Sequence, residues 1–387
     1  MRVLSIATSY PRDPDDAAGH FVRTGLLALV ERGHTATVVH PHPGGDVSFV
    51  DDVGIARCPV RAGRTRSALA YRGGMPERLT SSRRALLEAP RLARSLRRAV
   101  RDLAPAHDVV LSHWLMPGGW AGAASGLPHV CVLHSGGVYL LRRLPFGRQL
   151  AARIAVRTDH FVAVSAFLRD AFLELLPPGS RDAVARRTHV QVDPLPSAAF
   201  DIPRRRSERP LVLFLGRLEH VKGVDVLLAA LRPDDPFDTV IAGDGSLTSD
   251  VRRAVLEHGL TVSLPVQVSG DAKRALLARA DVLVVPSRVL PGGRTEGAPT
   301  VVSEAYAAGV PVVATRVGGL PEMVQPNRTG ALCPPEDPDA LRAALLGILG
   351  RRGTLVAACR CAAERARKEA FADRVGTWFD ELLGCPA

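Results

Sequence analysis

The chain contains 387 residues, of which 46% are hydrophobic and 23% are charged. These proportions are typical of a globular protein and exclude a disordered or low-complexity chain. A single hydrophobic core rarely spans this length, so two domains are expected. No apolar run approaches the roughly 18 residues that a membrane-spanning helix needs, and the apolar stretch behind Arg2 is too short for a signal peptide. We therefore expect a cytoplasmic protein.

Charge is distributed unevenly along the sequence. The net charge is +11, and residues 1–200 hold 26 arginines and no lysine against 16 acidic residues. A basic half indicates an anionic partner, which could be nucleic acid, a membrane surface or an anionic substrate. Aromatic residues make up only 5% of the chain, and no basic ribbon rich in stacking residues occurs, which argues against nucleic acid. Alternatively, the excess of arginine reflects a general amino-acid preference of the source organism and indicates no partner.

Short apolar runs alternate with helix-like segments. In the first half the predicted strands are 3–8, 35–40, 108–114, 129–134, 160–165 and 189–193, and the helices are 19–32, 90–103, 146–157 and 166–176. In the second half the predicted strands are 211–215, 239–242, 266–269, 282–286, 311–315 and 330–333, with helices such as 224–231, 271–280 and 299–308. The runs are almost continuously apolar, as in buried parallel strands. The pattern predicts an α/β protein with two Rossmann-like doubly wound domains facing a central cleft.

Composition also suggests the domain limits. Residues 195–210 include three prolines and little apolar periodicity, which is typical of a linker. We therefore predict domains at 1–195 and 211–360. The tail 354–383 has a helical pattern, and its last part, 361–387, is a candidate to cross back to the first domain.

In open α/β sheets, ligands bind beyond the carboxyl ends of the strands. The turn 216–223 follows the first strand of the second domain and carries Arg217 and Lys222 between Gly216 and Gly223. Two cations on a strand-to-helix turn suit an anion. The sequence lacks GxxxxGK[ST] and GxGxxG, so a P-loop or a dinucleotide site has no support. A surface turn with solvated charges is the alternative.

A second candidate segment precedes and enters the helix 299–308. Pro299 suits the first helical position, so the amides of Thr300 and Val301 are left to bind a phosphate or sugar oxygen. Glu304 lies inside an apolar helix, where a carboxylate needs a partner, and a ribose diol is a suitable one. The alternative is that Glu296 is an ordinary loop residue and that Glu304 pairs with a nearby arginine.

Further candidates follow other predicted strands. Gly318 and Gly319 permit close approach of a ligand, although a plain tight turn explains them equally well. Gly243 follows the strand 239–242 and could shape a nucleobase pocket. In the first domain, Gly19 begins a helix after the loop 11–18, and His134 ends an apolar strand. A lone histidine at a strand end is structural more often than catalytic.

No metal site is expected. The six cysteines are scattered without a CxxC pair, no HExxH motif occurs, and reduced thiols are expected. The triplets Asp13-Pro14-Asp15 and Asp337-Pro338-Asp339 lie in proline loops away from the candidate residues, so neither is interpreted as a metal site.

Taken together, these segments resemble the GT-B glycosyltransferases and, within that fold, the retaining family-4 (GT4) enzymes. The resemblance covers nearly the whole chain and is strongest from 211 to about 349. Its most specific feature is a pair of glutamates separated by seven residues, Glu296 and Glu304, followed by Ala305, Gly309, Pro311-Val312-Val313-Ala314-Thr315 and Gly318-Gly319. The turn 216–223, Ala280-Asp281-Val282 and Pro286-Ser287 fit the same pattern.

The resemblance implies a role for each matching residue. Arg217 and Lys222 would neutralise the diphosphate of a nucleoside-diphosphate sugar donor, Glu304 would hold its ribose, and Glu296 and His134 would lie near the transferred sugar. The implied catalytic residues are therefore His134, Arg217, Lys222 and Glu296. The implied donor-binding residues are Gly19, Gly216, Arg217, Lys222, Gly243, Gly297, Thr300, Glu304, Gly318 and Gly319.

The sequence departs from many relatives in two places. The crossover reads Asp193-Pro194-Leu195-Pro196 instead of a Pro-Asn-Gly-Val-Asp-like segment, and the first glycine loop has Gly19 instead of a glycine pair. The loop 288–295 is also longer than in compact relatives and could contact the sugar.

The implied reaction transfers a sugar, with retention and without a metal or other cofactor, to a hydroxyl acceptor such as an aminocyclitol, a glycan or a lipid. A nucleotide-sugar epimerase or hydrolase, and a non-catalytic module that binds nucleotide sugars or anionic surfaces, are the alternatives. The helix 90–103 could also contact an anionic membrane at its inner face, because it separates four apolar residues from Arg91, Arg94, Arg98 and Arg101. A solvated helix face explains that pattern as well.

Overall fold

The computed structural model describes residues 1–13, 16, 18–42, 52–61, 69, 79, 82–205, 208–266 and 268–384. The chain divides into two compact units, Met1–Pro194 with Lys368–Ala387 and Leu195–Arg367. Part of the predicted linker packs onto the second unit, because the Arg205 amide donates to the Ala278 carbonyl at 2.8 Å and Ile202 is buried.

The described part of the first unit contains a parallel sheet. Its strands are β1 Arg2–Ile6, β2 Thr35–Pro41, β3 Ile55–Val60, β4 Val109–His113, β5 His129–Leu133, β6 His160–Ala163 and β7 Thr188–Val190. They pair in the order β3-β2-β1-β4-β5-β6-β7. The strand order reverses between β1 and β4, which is where doubly wound sheets bind ligands.

Helices connect these strands. In the described residues they are α1 His20–Val30, α2 Arg83–Leu103, α3 Trp120–Gly122, α4 Ser135–Arg143, α5 Gly147–Val156, α6 Ala166–Leu173 and α7 Pro178–Ala185. α2 buries Leu92, Leu96 and Val100 against the core, as its apolar periodicity predicts. No helix in the described ranges is both long and apolar enough to cross a bilayer.

The second unit is also built on a parallel sheet. Its strands in the described chain are β8 Leu211–Leu215, β9 Asp238–Ala242, β10 Val262–Ser263, β11 Val282–Val285, β12 Val312–Thr315 and β13 Gly330–Cys333, in the order β10-β9-β8-β11-β12-β13. The strand predicted at 266–269 is wrong: the edge strand β10 lies earlier, where only two residues pair with β9. Two doubly wound sheets confirm the predicted α/β class.

The helices of the second unit flank this sheet. Among the described residues they are α8 Val224–Ala230, α9 Thr248–Glu257, α10 Gly270–Arg279, α11 Thr300–Ala307, α12 Leu320–Met323, α13 Pro338–Leu349 and α14 Arg352–Ala363.

The tail forms two helices instead of the single predicted one. A 3-10 turn at Glu364–Ala366 separates α14 from α15, Lys368–Leu383. α15 belongs to the first unit and packs against α1. A Cβ on Gly25 would lie 2.8 Å from the Phe371 ring, and the Lys368 ammonium lies 2.6 Å from the Glu31 carboxylate.

Candidate functional site

The turns after β8 and β9 pack backbone against backbone in the second unit. The Gly216 amide donates to the Ala242 carbonyl at 3.1 Å, and the Leu218 amide donates to the Asp244 carbonyl at 2.9 Å. Gly243 has a φ of 149°, and a Cβ there would lie 1.9 Å from the Gly216 carbonyl oxygen. Only glycine fits at this position. Arg217 is exposed at the beginning of the turn.

Lys222 and Glu296 form an ion pair at the carboxyl edge of the sheet. The distance from Lys222 Nζ to Glu296 Oε1 is 2.7 Å, and Ser287 Oγ donates to the same oxygen at 3.3 Å. Lys222 ends a short 3-10 turn after β8, whereas Ser287 and Glu296 follow the neighbouring strand β11. The pair therefore joins the loops of two adjacent strands, and it brings together two residues that were predicted to act at one site.

Glu304 is held by a different lysine. It is buried in α11, and its Oε1 lies 2.8 Å from Nζ of Lys273 in α10. The alternative for Glu304 was a nearby arginine, and Lys273 supplies a cation of another residue type beside it. A buried carboxylate requires such a partner because its desolvation is costly.

The amino end of α11 differs by one position from the prediction. Pro299 occupies the N-cap position instead of the first helical position, with φ −63° and ψ 120°, and no side chain of the described residues caps the helix. The prediction failed because proline's fixed φ also suits the extended conformation of an N-cap residue. The first amides, at Thr300 and Val301, still lie at an uncapped helix start.

Gly318 is packed against protein backbone. Its φ is 57°, and a Cβ there would lie 2.0 Å from the Glu296 carbonyl oxygen. The Gly319 amide donates to that same oxygen at 3.2 Å. The two glycines thus fix the backbone of Glu296, and the buried Gly297 follows directly.

Sequence reasoning missed Lys273 and treated Ser287 only as part of a family pattern. One signal could have found Lys273. The chain has 50 basic residues but only three lysines, Lys222, Lys273 and Lys368. Two of them pair with the two glutamates of the pattern. Rare use of lysine in an arginine-rich chain therefore indicated both partners.

In the first unit, His134 is buried in a cluster of rings, of which Phe21 and Trp114 are half-buried. Its Nε2 is 3.3 Å from His113 Nδ1, and its Nδ1 is 3.7 Å from an oxygen of Asp193. The Phe21 and Trp114 rings lie 4.9 and 4.7 Å from its ring centroid. His134 also occupies the N-cap position of α4.

Burial determines the protonation of this cluster. It lowers the pKa of His134 well below the ordinary value, lowers the pKa of His113 to about 3 and raises the pKa of Asp193 to about 8. Desolvation disfavours every charged form here. At neutral pH His134 is therefore an uncharged imidazole, with one nitrogen that donates and one that accepts a hydrogen bond.

Gly19 precedes Phe21 by two residues, and the Phe21 ring belongs to this cluster. It occupies the N-cap position of α1 with φ 75°, and a Cβ there would lie 2.3 Å from the Ser9 carbonyl oxygen. In the triplet 13–15, Pro14 and Asp15 lie outside the described residues, whereas Asp337 caps α13 by accepting from the Ala340 amide at 2.9 Å. The described residues contain no group of three or more His, Cys, Asp or Glu that could hold a metal.

Comparison with known proteins covers both units. Residues 18–185 match the family model described as Glycosyltransferase Family 4, and residues 198–368 match the model described as Glycosyl transferases group 1. One relative is the GDP-mannose-dependent alpha-(1-6)-phosphatidylinositol monomannoside mannosyltransferase of Mycobacterium tuberculosis, 35% identical over 55% of this chain. The match spans 58% of that relative's length.

Solved structures support the fold. Sucrose-phosphate synthase from Thermosynechococcus elongatus superposes with a TM-score of 0.75 at 20% identity and covers 100% of both chains. HepE from Anabaena in complex with UDP gives a TM-score of 0.69 at 17% identity, covering 98% of this chain and 100% of that one. With the family matches across both units, these similarities show that the chain belongs to the GT4-like glycosyltransferases of the GT-B fold.

Proposed function

We propose that the protein is a retaining glycosyltransferase that moves a sugar from a nucleoside-diphosphate sugar to a hydroxyl of an acceptor. The observation that carries this proposal is the Lys222–Glu296 pair, at 2.7 Å on the carboxyl edge of the second sheet. It joins a cation suited to phosphate and a carboxylate suited to sugar hydroxyls within one cluster.

Lys222 has the bonding capacity for this role. An ammonium group donates three hydrogen bonds, and Glu296 accepts one of them, so two can reach the oxygens of a diphosphate. Each charge-assisted bond contributes on the order of 1.5–3 kcal/mol. Arg217 and the amides at the start of α11 add further donors for the negative charge that develops on the leaving group. The proposal therefore requires no metal ion.

Glu296 is proposed to orient the sugar and not to attack it. Its Oε1 already accepts bonds from Lys222 and Ser287, which stabilises the carboxylate and lowers its nucleophilicity. In the proposed scheme, the acceptor hydroxyl attacks from the side of the leaving group, and the phosphate oxygen takes its proton. The anomeric configuration is thereby retained.

Lys273 and Glu304 are proposed to bind the donor's ribose. A carboxylate accepts both protons of a diol, and Lys273 holds Glu304 in place at 2.8 Å. The named relative uses GDP-mannose, whereas the Anabaena structure contains UDP, so GDP-mannose and UDP-glucose are the first donors to test.

We propose that the acceptor hydroxyl belongs to a small molecule such as an aminocyclitol, to a glycan or to a lipid. Peripheral contact with an anionic membrane is part of the proposal, because Arg91, Arg94, Arg98 and Arg101 are all exposed on α2. Co-sedimentation with anionic vesicles at low and high salt tests it, and a solvated helix face predicts no binding at either.

The central experiment incubates the purified chain with a panel of nucleoside-diphosphate sugars, with and without acceptor extracts, after chelation of divalent metals. Release of nucleoside diphosphate that depends on acceptor, with a product of unchanged anomeric configuration by NMR, is the expected result. Turnover without acceptor would indicate the epimerase or hydrolase alternative. Donor binding without turnover would indicate a binding module.

A further inference from the structure

Three rings meet at the carboxyl edge of the first sheet. Phe21 lies in the first turn of α1, which follows β1, whereas Trp114 directly follows β4 and His134 directly follows β5. These strands are neighbours in the sheet, and the strand order reverses between β1 and β4. Doubly wound sheets bind ligands at such a reversal. The reaction scheme proposed above gives no role to Phe21 or Trp114.

Trp114 has an unfavourable backbone conformation. Its φ is 63° and its ψ is 125°, and a positive φ is a genuine outlier for a residue with a bulky side chain. The surrounding backbone holds it there: the Trp114 amide donates to the Val132 carbonyl at 2.9 Å, and the Trp114 carbonyl accepts from the Gly119 amide at 2.9 Å. Glycine adopts a positive φ at the lowest cost. Strained residues of this kind cluster at ligand sites, so we expect the indole to supply a contact that glycine could not.

The aromatic surface at this position is partly accessible. Trp114 and Phe21 are both half-buried. Their ring centroids are 5.8 Å apart and their planes are tilted by 56°, so neither ring covers the face of the other. Part of the surface of both rings is therefore left for a ligand.

The titratable groups of this cluster are uncharged at neutral pH. Burial lowers the pKa of His134 well below its ordinary value and that of His113 to about 3. Burial also raises the pKa of Asp193, whose carboxyl oxygen lies 3.7 Å from His134, to about 8. Desolvation disfavours the charged form of each group. A ligand held against these rings is therefore recognised by its apolar faces and its hydroxyl groups instead of by its charge.

We propose that Trp114 and Phe21 form a platform for the ring of the acceptor, so that the acceptor hydroxyl belongs to a sugar or cyclitol ring and not to an alkyl chain. The C–H bonds on one face of such a ring form an apolar patch that packs flat against an aromatic ring. An open-chain polyol has the same hydroxyl groups but must lose conformational freedom to present a flat face. The inference rests on the proposed function and narrows its acceptor to a cyclic polyol.

Ligand-observed NMR of the full chain tests the platform. The probes are methyl α-D-mannopyranoside, myo-inositol and the open-chain polyol D-mannitol, each titrated in the presence of GDP and, separately, of UDP. We expect saturable binding of at least one ring compound and a Kd for mannitol that is roughly tenfold higher or more. The platform would be overturned if neither ring compound bound, or if mannitol bound as tightly as the rings.

Two substitutions at one position separate a flat face from apolar volume. Trp114→Leu keeps an apolar side chain but removes the flat face, so the Kd for the ring compound is expected to rise roughly tenfold. Trp114→Phe restores a flat face and should bring the Kd within about threefold of the wild type. The matched control is Trp120→Phe, since the Trp120 ring packs against Arg97 instead, and its Kd should stay within about twofold. Equal weakening by Trp114→Leu and Trp114→Phe would mean that the indole only supports the fold.

Nucleotide binding distinguishes a failure of this inference from a failure of the proposed function. Trp114→Leu is expected to leave the Kd for GDP or UDP within about twofold, because the residues proposed to bind the diphosphate lie in the second unit. Nucleotide binding together with a ring affinity that ignores Trp114→Leu would overturn the platform alone. Ring binding that depends on Trp114 in a chain that binds no nucleotide would overturn the donor assignment and support the platform as a sugar site. Circular dichroism verifies that each variant is folded.

Discussion

The two units share one architecture but differ in which titratable groups they bury. Ten of the twelve histidines and most of the positive charge lie in the first 194 residues, where burial keeps several histidines neutral. In the second unit, Lys222 and Lys273 are each matched to a carboxylate. The comparison suggests that the second unit pairs two lysines with carboxylates at the candidate site, whereas the first keeps several buried histidines uncharged beside a buried Arg57–Asp52 ion pair.

The largest effect that we expect is on acid stability: acid should unfold the first unit before the second. Burial lowers the pKa of His40 and His129 to about 4 and that of His113 to about 3. Between those values and 6.5 the unfolded chain binds more protons, so stability falls as pH falls through this window, by on the order of several kcal/mol. The raised pKa of Asp193 has the opposite effect on stability, but it is one group against several histidines.

Tryptophan fluorescence measures this difference directly, because Trp114, Trp120 and Trp378 all lie in the first unit. Urea midpoints from fluorescence should fall between pH 7.5 and pH 5, while hydrogen exchange of peptides from the second unit, whose His220 and His258 are exposed, should change little. Equal loss in both units would contradict the comparison.

Gly318→Ala should have the next largest effect, which is a loss of stability in the second unit. The added Cβ would lie 2.0 Å from the Glu296 carbonyl oxygen at a left-handed φ of 57°, so we expect a loss of about 3 kcal/mol in unfolding free energy. Circular dichroism in urea measures it. Gly347→Ala in α13 is the control, since a Cβ there meets nothing within 4 Å and should stabilise the helix slightly. An unchanged midpoint for Gly318→Ala would refute the backbone contact.

Lys222→Met should lower kcat by roughly tenfold to a hundredfold, because one or two charge-assisted bonds to the leaving phosphate are lost. The chain supplies its own control in Lys368→Met. That lysine also forms a 2.6 Å ion pair, with Glu31, but in the first unit, so its loss should leave turnover near the wild-type value. Steady-state kinetics of both variants decide, and similar kcat values would remove Lys222 from the mechanism.

Lys273→Met should have a smaller effect, raising the donor KM by about tenfold with little change in kcat. The substitution releases Glu304, which is proposed to position the nucleotide, and leaves Glu296 at the transferred sugar in place. Lys273→Arg retains a cation and should recover most of the affinity. If the donor KM of Lys273→Met equals that of the wild type, the pair is structural only.

Much of the second sheet was predictable because its central strands β8, β11 and β12 are buried on both faces. The limits of β8 and β13 agree with the predicted runs 211–215 and 330–333, since continuous apolar sequence leaves few alternatives. β3 was missed because it is an edge strand that contains Pro59 and is buried fully only at Ile55, which weakens the apolar signal.

The site was only partly predictable for a related reason. The glycines and glutamates could be predicted from their residue types and spacing. Lys273, by contrast, lies on a helix with no local sequence feature that indicates a role. Its pairing with Glu304 depends on where the fold places α10 relative to α11, which is a tertiary relation. Likewise, the glycine pair at 318–319 indicated close approach, yet the approaching group is the chain's own carbonyl at Glu296.

The return of α15 to α1 has a consequence for synthesis on the ribosome. The glycine notch at Gly25 receives the Phe371 ring, so the amino-terminal unit stays incomplete until residues 368–383 have emerged. We expect nascent chains halted before Lys368 to leave the apolar surface of α1 uncovered and to be recruited by chaperones, even though the sheet beneath it was translated long before.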